Sequence, residues 1–239
     1  MCGRYSLITE RTDLVRFLDL PADAILDTLE PRYNVAPTQP VPVFRHDGQT
    51  RWAMHRWGLI PERAKDRRVG SRMINARSET VSVRPAFRDA FRERRCVVPA
   101  DGFYEWRAAA GEGRPKVPHY IRMRSAEPFA FAGLWSEWVA PEGEIVPTFT
   151  ILTVDANELV RSVHDRMPVI LGPPAREAWL DASNRNDEQL RSLLRPYDPA
   201  EMEMHPVSRW VNSADHEGER CIRRLDDPEA EFEQMSLGL

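Results

Sequence analysis

Short apolar segments that alternate residue by residue constrain this chain's fold more than any other feature. Phe129 and Phe131 alternate with Ala130 and Ala132, while Ile145, Phe149 and Ile151 share one parity and Thr148 and Thr150 the other. A period of two puts successive side chains on opposite faces of a strand. Cys96-Val97-Val98 reads as a short buried strand, and residues 41–46 and 51–57 as two strands around the turn signal Asp47-Gly48. Helices are expected at 11–18, with Leu14 and Phe17 on one side, and at 84–92, with Pro85 in the first turn and Phe87 and Phe91 four apart. Three more are expected at 157–163, capped by Asn157, at 174–181, announced by Pro173-Pro174, and at 187–194. Strands dominate and do not alternate regularly with helices. The expected fold is therefore α+β: one domain on a curved or barrel-like, mainly antiparallel sheet with peripheral helices, not a doubly wound sheet. With 42% hydrophobic residues and seven tryptophans in 239 positions, a substantial core is available. The domain is expected over 1–225, followed by a loose acidic tail over 226–239 that carries Asp226, Asp227, Glu229, Glu231 and Glu233.

Several function classes drop out on composition. No apolar run approaches the roughly 18 residues of a membrane-spanning helix. Charges at Arg4, Glu10, Arg11, Asp13, Arg16 and Asp19 interrupt any secretory leader. Cys2, Cys96 and Cys221 are odd in number and widely spaced, which argues against a disulfide framework or a zinc site and for a reducing, cytoplasmic setting. Cys96 reads as a packed strand thiol, and Cys221, close to the tail, receives no role. Net charge is −4, but residues 51–100 hold thirteen basic side chains against five acidic ones, a local excess of +8. Twelve of the thirteen are arginine, the side chain suited to phosphate.

The chain opens Met1-Cys2-Gly3-Arg4-Tyr5. Loss of Met1 would leave Cys2 with a free α-amine beside its thiol. An aldehyde can condense with that amine to an imine, and the thiol can then close a thiazolidine ring. Five segments frame further polar groups: Arg32-Tyr33-Asn34-Val35-Ala36-Pro37-Thr38; His55-Arg56-Trp57-Gly58-Leu59-Ile60-Pro61; Ile74-Asn75-Ala76-Arg77-Ser78-Glu79-Thr80; Cys96 through Trp106; and His164-Asp165-Arg166-Met167-Pro168.

With Cys2 at their head, these segments resemble the SRAP family, the SOS response-associated peptidase-like proteins, from Cys2 to about Val211. The resemblance implies binding of single-stranded DNA that contains an abasic site, and a covalent link from the N-terminal cysteine to the ring-opened sugar. It implies Cys2, Asn75, Glu105 and His164 as catalytic residues and Arg4, Asn34, Arg77 and Arg166 as DNA contacts, with no cofactor and no metal. A monomer is expected, with replication-associated proteins as further partners and, in a bacterium, a place at the nucleoid. The chemistry suits these residue types. The α-amine, with an ordinary pKa of roughly 7.7–8.0, must be neutral to attack. Glu105 can take its proton, Glu105 or His164 can protonate the departing water, and Asn75 can donate and accept at once. One departure stands out. Arg63 occupies a position where family members carry tryptophan, so weaker discrimination of single-strand/double-strand junctions is expected, although a guanidinium also stacks on bases. Two other readings remain open: a thiol peptidase or autopeptidase using Cys2, His164 and Asn75, and a non-covalent single-stranded DNA-binding module. Schiff-base lyase action is a variant of the first reading.

Overall fold

Where apolar residues alternate, strands form, and five of them close into a ring. The computed structural model describes residues 2–19, 29–46, 50–108 and 115–227; the turn signal at Asp47-Gly48 and the tail beyond Asp227 lie outside the described residues. In chain order the elements are β1 (Tyr5–Leu7), α1 (Arg11–Leu18), β2 (Arg32–Val35), β3 (Pro40–His46), β4 (Thr50–Trp57), β5 (Asn75–Arg77), α2 (Arg88–Glu93), β6 (Arg95–Ala100) and β7 (Gly102–Arg107). They continue with β8 (Val117–Met123), β9 (Phe129–Val139), β10 (Ile145–Asp155), α3 (Glu158–Arg161), β11 (Arg166–Pro168), β12 (Ile170–Leu171), α4 (Pro173–Leu180), α5 (Asp187–Ser192) and β13 (Met202–Pro206).

Strand β10 pairs in parallel with β4, and β4–β3, β3–β6, β6–β9 and β9–β10 pair antiparallel, which completes a closed five-stranded barrel. Closure satisfies the backbone groups that an open sheet would leave along its edges. A second sheet runs in the order β13-β8-β7-β1-β2. The expected α+β domain on a barrel-like, mainly antiparallel sheet is thus what forms.

The two sheets share one core. Tyr5 of β1 meets Trp57 of β4 edge-on at 5.2 Å and Phe131 of β9 at 5.8 Å, and Phe103 of β7 meets Phe131 at 6.1 Å. Burying side chains of this size stabilises the fold by roughly 1.5–3 kcal/mol each. Both parities of β9 are buried: Phe129, Ala130, Phe131 and Ala132 are at most 3% exposed. The alternation there is one of size, not polarity. Gly133, on the parity of Phe129 and Phe131, breaks the alternation for a steric reason, since a Cβ at this position would stand 2.9 Å from the Cys96 sulfur. Cys96 is a fully buried strand thiol, as expected.

Helix bounds differ in instructive ways. Helix α1 covers the expected residues, with Leu14 and Leu18 buried. The expected helix at 84–92 is confined to Arg88–Glu93. Before it, Val83 and Arg84 N–H groups donate to the Thr80 carbonyl in successive turns, and Pro85 belongs to that turn region. Helix α3 is a single turn, started by Asn157, whose side chain accepts from the Val160 N–H at 3.0 Å. Helices α4 and α5 end at Leu180 and Ser192, one and two residues short of expectation.

After β13 the chain folds back as a strap over β1 and β2. It is tied down by the Leu225 N–H donating to the Pro206 carbonyl and by a bridge between Val207 and Arg224. Cys221, close to the tail in sequence, lies within this strap, fully buried beside Tyr104 and Val211. Burial pushes its thiol pKa up to about 11.

Candidate active site around Cys2

Three elements converge on Cys2. The N-terminal segment runs antiparallel to β7, with Tyr5 opposite Phe103 and the Tyr104 N–H donating to the Arg4 carbonyl. One residue further along, this register sets the Cys2–Gly3 segment beside Glu105. Strand β5 arrives from the other side in parallel with β10, Asn75 opposite Ile151, and the Asn75 amide donates to the Cys2 carbonyl at 2.7 Å. Trp57 supports this approach through its indole N–H, which donates to the Ile74 carbonyl at 2.9 Å.

Cys2 is 0% exposed and its thiol points toward the Arg4 carbonyl at 3.9 Å. Burial raises the thiol pKa well above its ordinary value, and the Glu105 carboxylate raises it further. Both effects disfavour a negative sulfur. The site therefore holds a neutral thiol beside a carboxylate, not a pre-formed thiolate. Asn75 keeps capacity in reserve, since its buried Oδ1 accepts no hydrogen bond.

Glu105 is 3% exposed on β7. Directly opposite on β8 stands His119, also 3% exposed. Opposed residues of an antiparallel pair share a face at roughly 4.5–5.5 Å between Cβ atoms. Burial lowers the His119 pKa, so the ring is held neutral, and its Nδ1 lies 3.0 Å from the Val117 carbonyl, which fixes Nδ1 as the protonated nitrogen. Sequence reasoning did not single out His119. The signal was the pairing of Tyr104 with Tyr120, which sets the β7–β8 register.

His164 follows α3, and its Nδ1 accepts from the Arg166 N–H at 2.9 Å. The same nitrogen lies 2.9 Å from the Asp165 carboxylate. Accepting the Arg166 N–H leaves Nδ1 without a proton of its own, so this contact goes with the tautomer protonated on Nε2.

The four arginine and asparagine residues expected at DNA separate by environment. Arg77 is exposed on β5, on the same strand face as Asn75. Arg4, Asn34 and Arg166 make hydrogen bonds or ion pairs within the fold. Arg4 donates to Asn34 Oδ1 and to the Val211 carbonyl, both at 2.7 Å, while Asn34 is fully buried and its amide donates to the Ser213 and His216 carbonyls at 2.8 and 2.7 Å. Arg166, 8% exposed, binds Glu79 and Asp155 at 2.6 Å each and the Thr153 carbonyl at 2.7 Å. It thereby clamps the exit of β5 to β10 and β11. The buried face of each of these three residues does structural work that their residue type alone does not reveal.

Two surface clefts, of about 420 and 520 Å³, are lined by residues other than Cys2, Asn75, Glu105 and His164. The candidate centre is a packed junction of strands.

The chain matches the family described as SOS response associated peptidase (SRAP) over residues 1–214. It is 44% identical over 214 residues to the abasic site processing protein YoqW of Bacillus subtilis, covering 89% of this chain and 95% of that one. It is 32% identical over 222 residues to the abasic site processing protein HMCES of Gallus gallus, covering 80% of this chain and 66% of that one. Among solved structures, a protein from Bacteroides thetaiotaomicron superposes with a TM-score of 0.81 at 26% identity over 94% of this chain and all of the other. A phage-related protein from Bordetella bronchiseptica gives 0.70 at 29% identity over 91% of this chain and all of the other.

Proposed function

We propose that this chain, which belongs to the SRAP family, captures abasic sites in single-stranded DNA by a thiazolidine link to Cys2 once Met1 has been removed. The relatives named as abasic site processing proteins support an abasic-site role. The observation that carries the covalent step is the Asn75 amide on the Cys2 carbonyl at 2.7 Å, with the Glu105 carboxylate close enough to raise the Cys2 thiol.

In this reading the neutral α-amine adds to the ring-opened aldehyde. The carbinolamine loses water to give an imine, and the thiol adds across the C=N bond, forming C–S while its proton ends on nitrogen. The net change is loss of one water. Glu105 takes the proton of the attacking amine and returns it to the departing hydroxyl. His164 in its imidazolium form donates a proton to the sugar ring oxygen as the closed sugar opens, the C1 hydroxyl gives its proton to water, and the imidazole returns to neutral. Asn75 fixes the Cys2 main chain while its open Oδ1 accepts from the amine or a sugar hydroxyl. A raised thiol pKa is compatible with this order, because sulfur reacts second and intramolecularly. It disfavours the thiol-peptidase reading, which needs a thiolate at the outset. Arg77 and the exposed arginines of residues 51–100 supply the anion-binding face for the strand.

The test is incubation with an abasic single-stranded oligonucleotide, followed by denaturing electrophoresis and intact mass. An adduct lighter by one water than the sum of its parts is expected with Met1-processed protein and none with Cys2→Ala. An adduct that persists in Cys2→Ala would exclude the reading, and strand scission without a stable adduct would favour a lyase.

A further inference from the structure

Tyr5 carries a hydroxyl that the free protein leaves unused. The residue is fully buried, and its Oη has no hydrogen-bond partner among the described residues. Buried polar atoms are nearly always paired, and one left open is destabilising. Packing fixes the ring in place. Tyr5 lies opposite Val35 of β2 on one edge of its strand and opposite Phe103 of β7 on the other, and Trp57 and Phe131 meet its ring edge-on at 5.2 and 5.8 Å. A phenylalanine would fill the same space without the unpaired oxygen. Tyr5 belongs to the same buried cluster as Cys2. Burial, and after it the neighbouring Cys2, raises the tyrosine pKa above its ordinary value, so the hydroxyl keeps its proton and stays a donor.

We propose that Tyr5 is a further catalytic residue of the Cys2 site, its hydroxyl donating to the sulfur as the thiol adds to the imine. The inference rests on the covalent reading above. The sulfur is the reacting atom with least support. Its thiol points toward the Arg4 carbonyl, an acceptor, at 3.9 Å. Burial and the Glu105 carboxylate disfavour a negative sulfur there, and outweigh a backbone bond at Arg4 that favours it. Closing the ring nevertheless builds negative charge on sulfur. The S–H proton leaves to Glu105, a sulfur lone pair forms the C–S bond, the C=N pair moves to nitrogen, and Glu105 returns the proton to that nitrogen. Tyr5 gives up no proton in this step. It supplies a charge-assisted hydrogen bond, roughly twice as strong as a neutral one. Cys2 has a single side-chain torsion, and turning about Cα–Cβ carries Sγ from one staggered position to another. The five-membered ring requires the position that brings sulfur round toward the α-nitrogen. The tyrosine is fixed and the sulfur is free to turn, so the thiol comes to the hydroxyl. Tyr5 thereby serves the second step of the capture, while Glu105, His164 and Asn75 serve the first.

The full-length, Met1-processed protein and its Tyr5→Phe variant are each mixed with an abasic single-stranded oligonucleotide, and samples taken over time are quenched with borohydride. Reduction fixes the open imine as a secondary amine, heavier by two hydrogens than the closed thiazolidine, and the mass of the N-terminal peptide separates the two forms. Tyr5→Phe is expected to form the imine at the wild-type rate and to close it roughly ten-fold or more slowly, as for one lost hydrogen bond to a charged group. The reducible form then accumulates. The urea midpoint of the free variant is expected to equal or exceed that of wild type, because an unpaired buried oxygen has been removed. Closure at the wild-type rate, equal slowing of both steps, or a lowered urea midpoint would each overturn the role of Tyr5. If wild type yields neither form of adduct, the covalent reading fails and Tyr5 falls with it. An adduct that closes equally well in both proteins removes Tyr5 alone and leaves the Cys2 chemistry standing.

Discussion

His55 and Cys2 are both withdrawn from solvent, at 1% and 0% exposure, but their neighbours differ in kind. His55 faces the Ala53 carbonyl at 3.1 Å and the edge of Trp135 at 6.1 Å. Arg45, the nearby cation, lies 4.0 Å over the Trp135 ring and pairs with Glu137 at 3.2 Å. Cys2 has an amide on its own main chain, a carboxylate beside its thiol and an open acceptor on Asn75. His55 Nε2 is also buried without a hydrogen bond, so an open polar atom does not by itself distinguish the two places. The difference is that around Cys2 the polar groups surround a nucleophile, whereas around His55 they have mutually compensated. Depth of burial marks neither a site nor its absence; the direction in which the neighbours can move protons does.

The sharpest break of this contrast is Glu105→Gln, which keeps shape and removes the base. Adduct formation is expected to slow by roughly 10²–10⁴-fold, followed as a time course on denaturing gels, with thermal stability little changed. A rate equal to wild type would move the acid–base role elsewhere. Next comes His55. Burial lowers its pKa to about 4 from the ordinary 6.5, with Arg45 adding in the same direction. The unfolded chain binds a proton there before the folded one does. Stability conferred by neutral His55 is therefore full above pH 6.5 and lost as pH falls toward 4, by about 3 kcal/mol in all. His55→Leu should flatten that stretch of the pH–stability curve in urea melts; an unaltered slope would contradict the assignment. Gly133→Ala should destabilise by about 1–3 kcal/mol, because the added carbon meets the Cys96 sulfur. Combining it with Cys96→Ala should recover part of the loss, and failure to do so would place the strain elsewhere. The smallest effect belongs to Arg77→Ala, which should weaken binding to single-stranded DNA similarly across sequences and lower the salt slope by about 0.7, with crosslinking at saturating DNA retained.

Much of the fold was legible because strand parity is local. The β3–β4 pair, buried β6 and the large-and-small alternation of β9 all follow from side chains two apart. A barrel-like sheet was expected, but not the pairing that closes it, in which β4 lies parallel to β10 with Arg56 opposite Thr148. The helix expected at 84–92 begins only at Arg88, because residues 85–87 form a turn in which the Phe87 and Arg88 N–H groups both donate to the Arg84 carbonyl. Of the candidate site, Cys2, Asn75 and Glu105 lie near one another. His119 was invisible because its place opposite Glu105 is a matter of register, not of motif. Nor could a motif announce the bonds of Arg4, Asn34 and Arg166, whose partners include Val211, His216 and Glu79 from distant segments.

The bond from Arg4 to the Val211 carbonyl joins positions 207 residues apart. As a ribosome delivers the chain from its first residue onward, that fastening has to wait until the strap is available. Throughout that interval the start of β1 lacks its final anchor, while in the finished fold Cys2 is shut away. The removal of Met1 that the proposed chemistry requires would thereby be set against a clock: easiest on the growing chain, and hindered once the strap is in place.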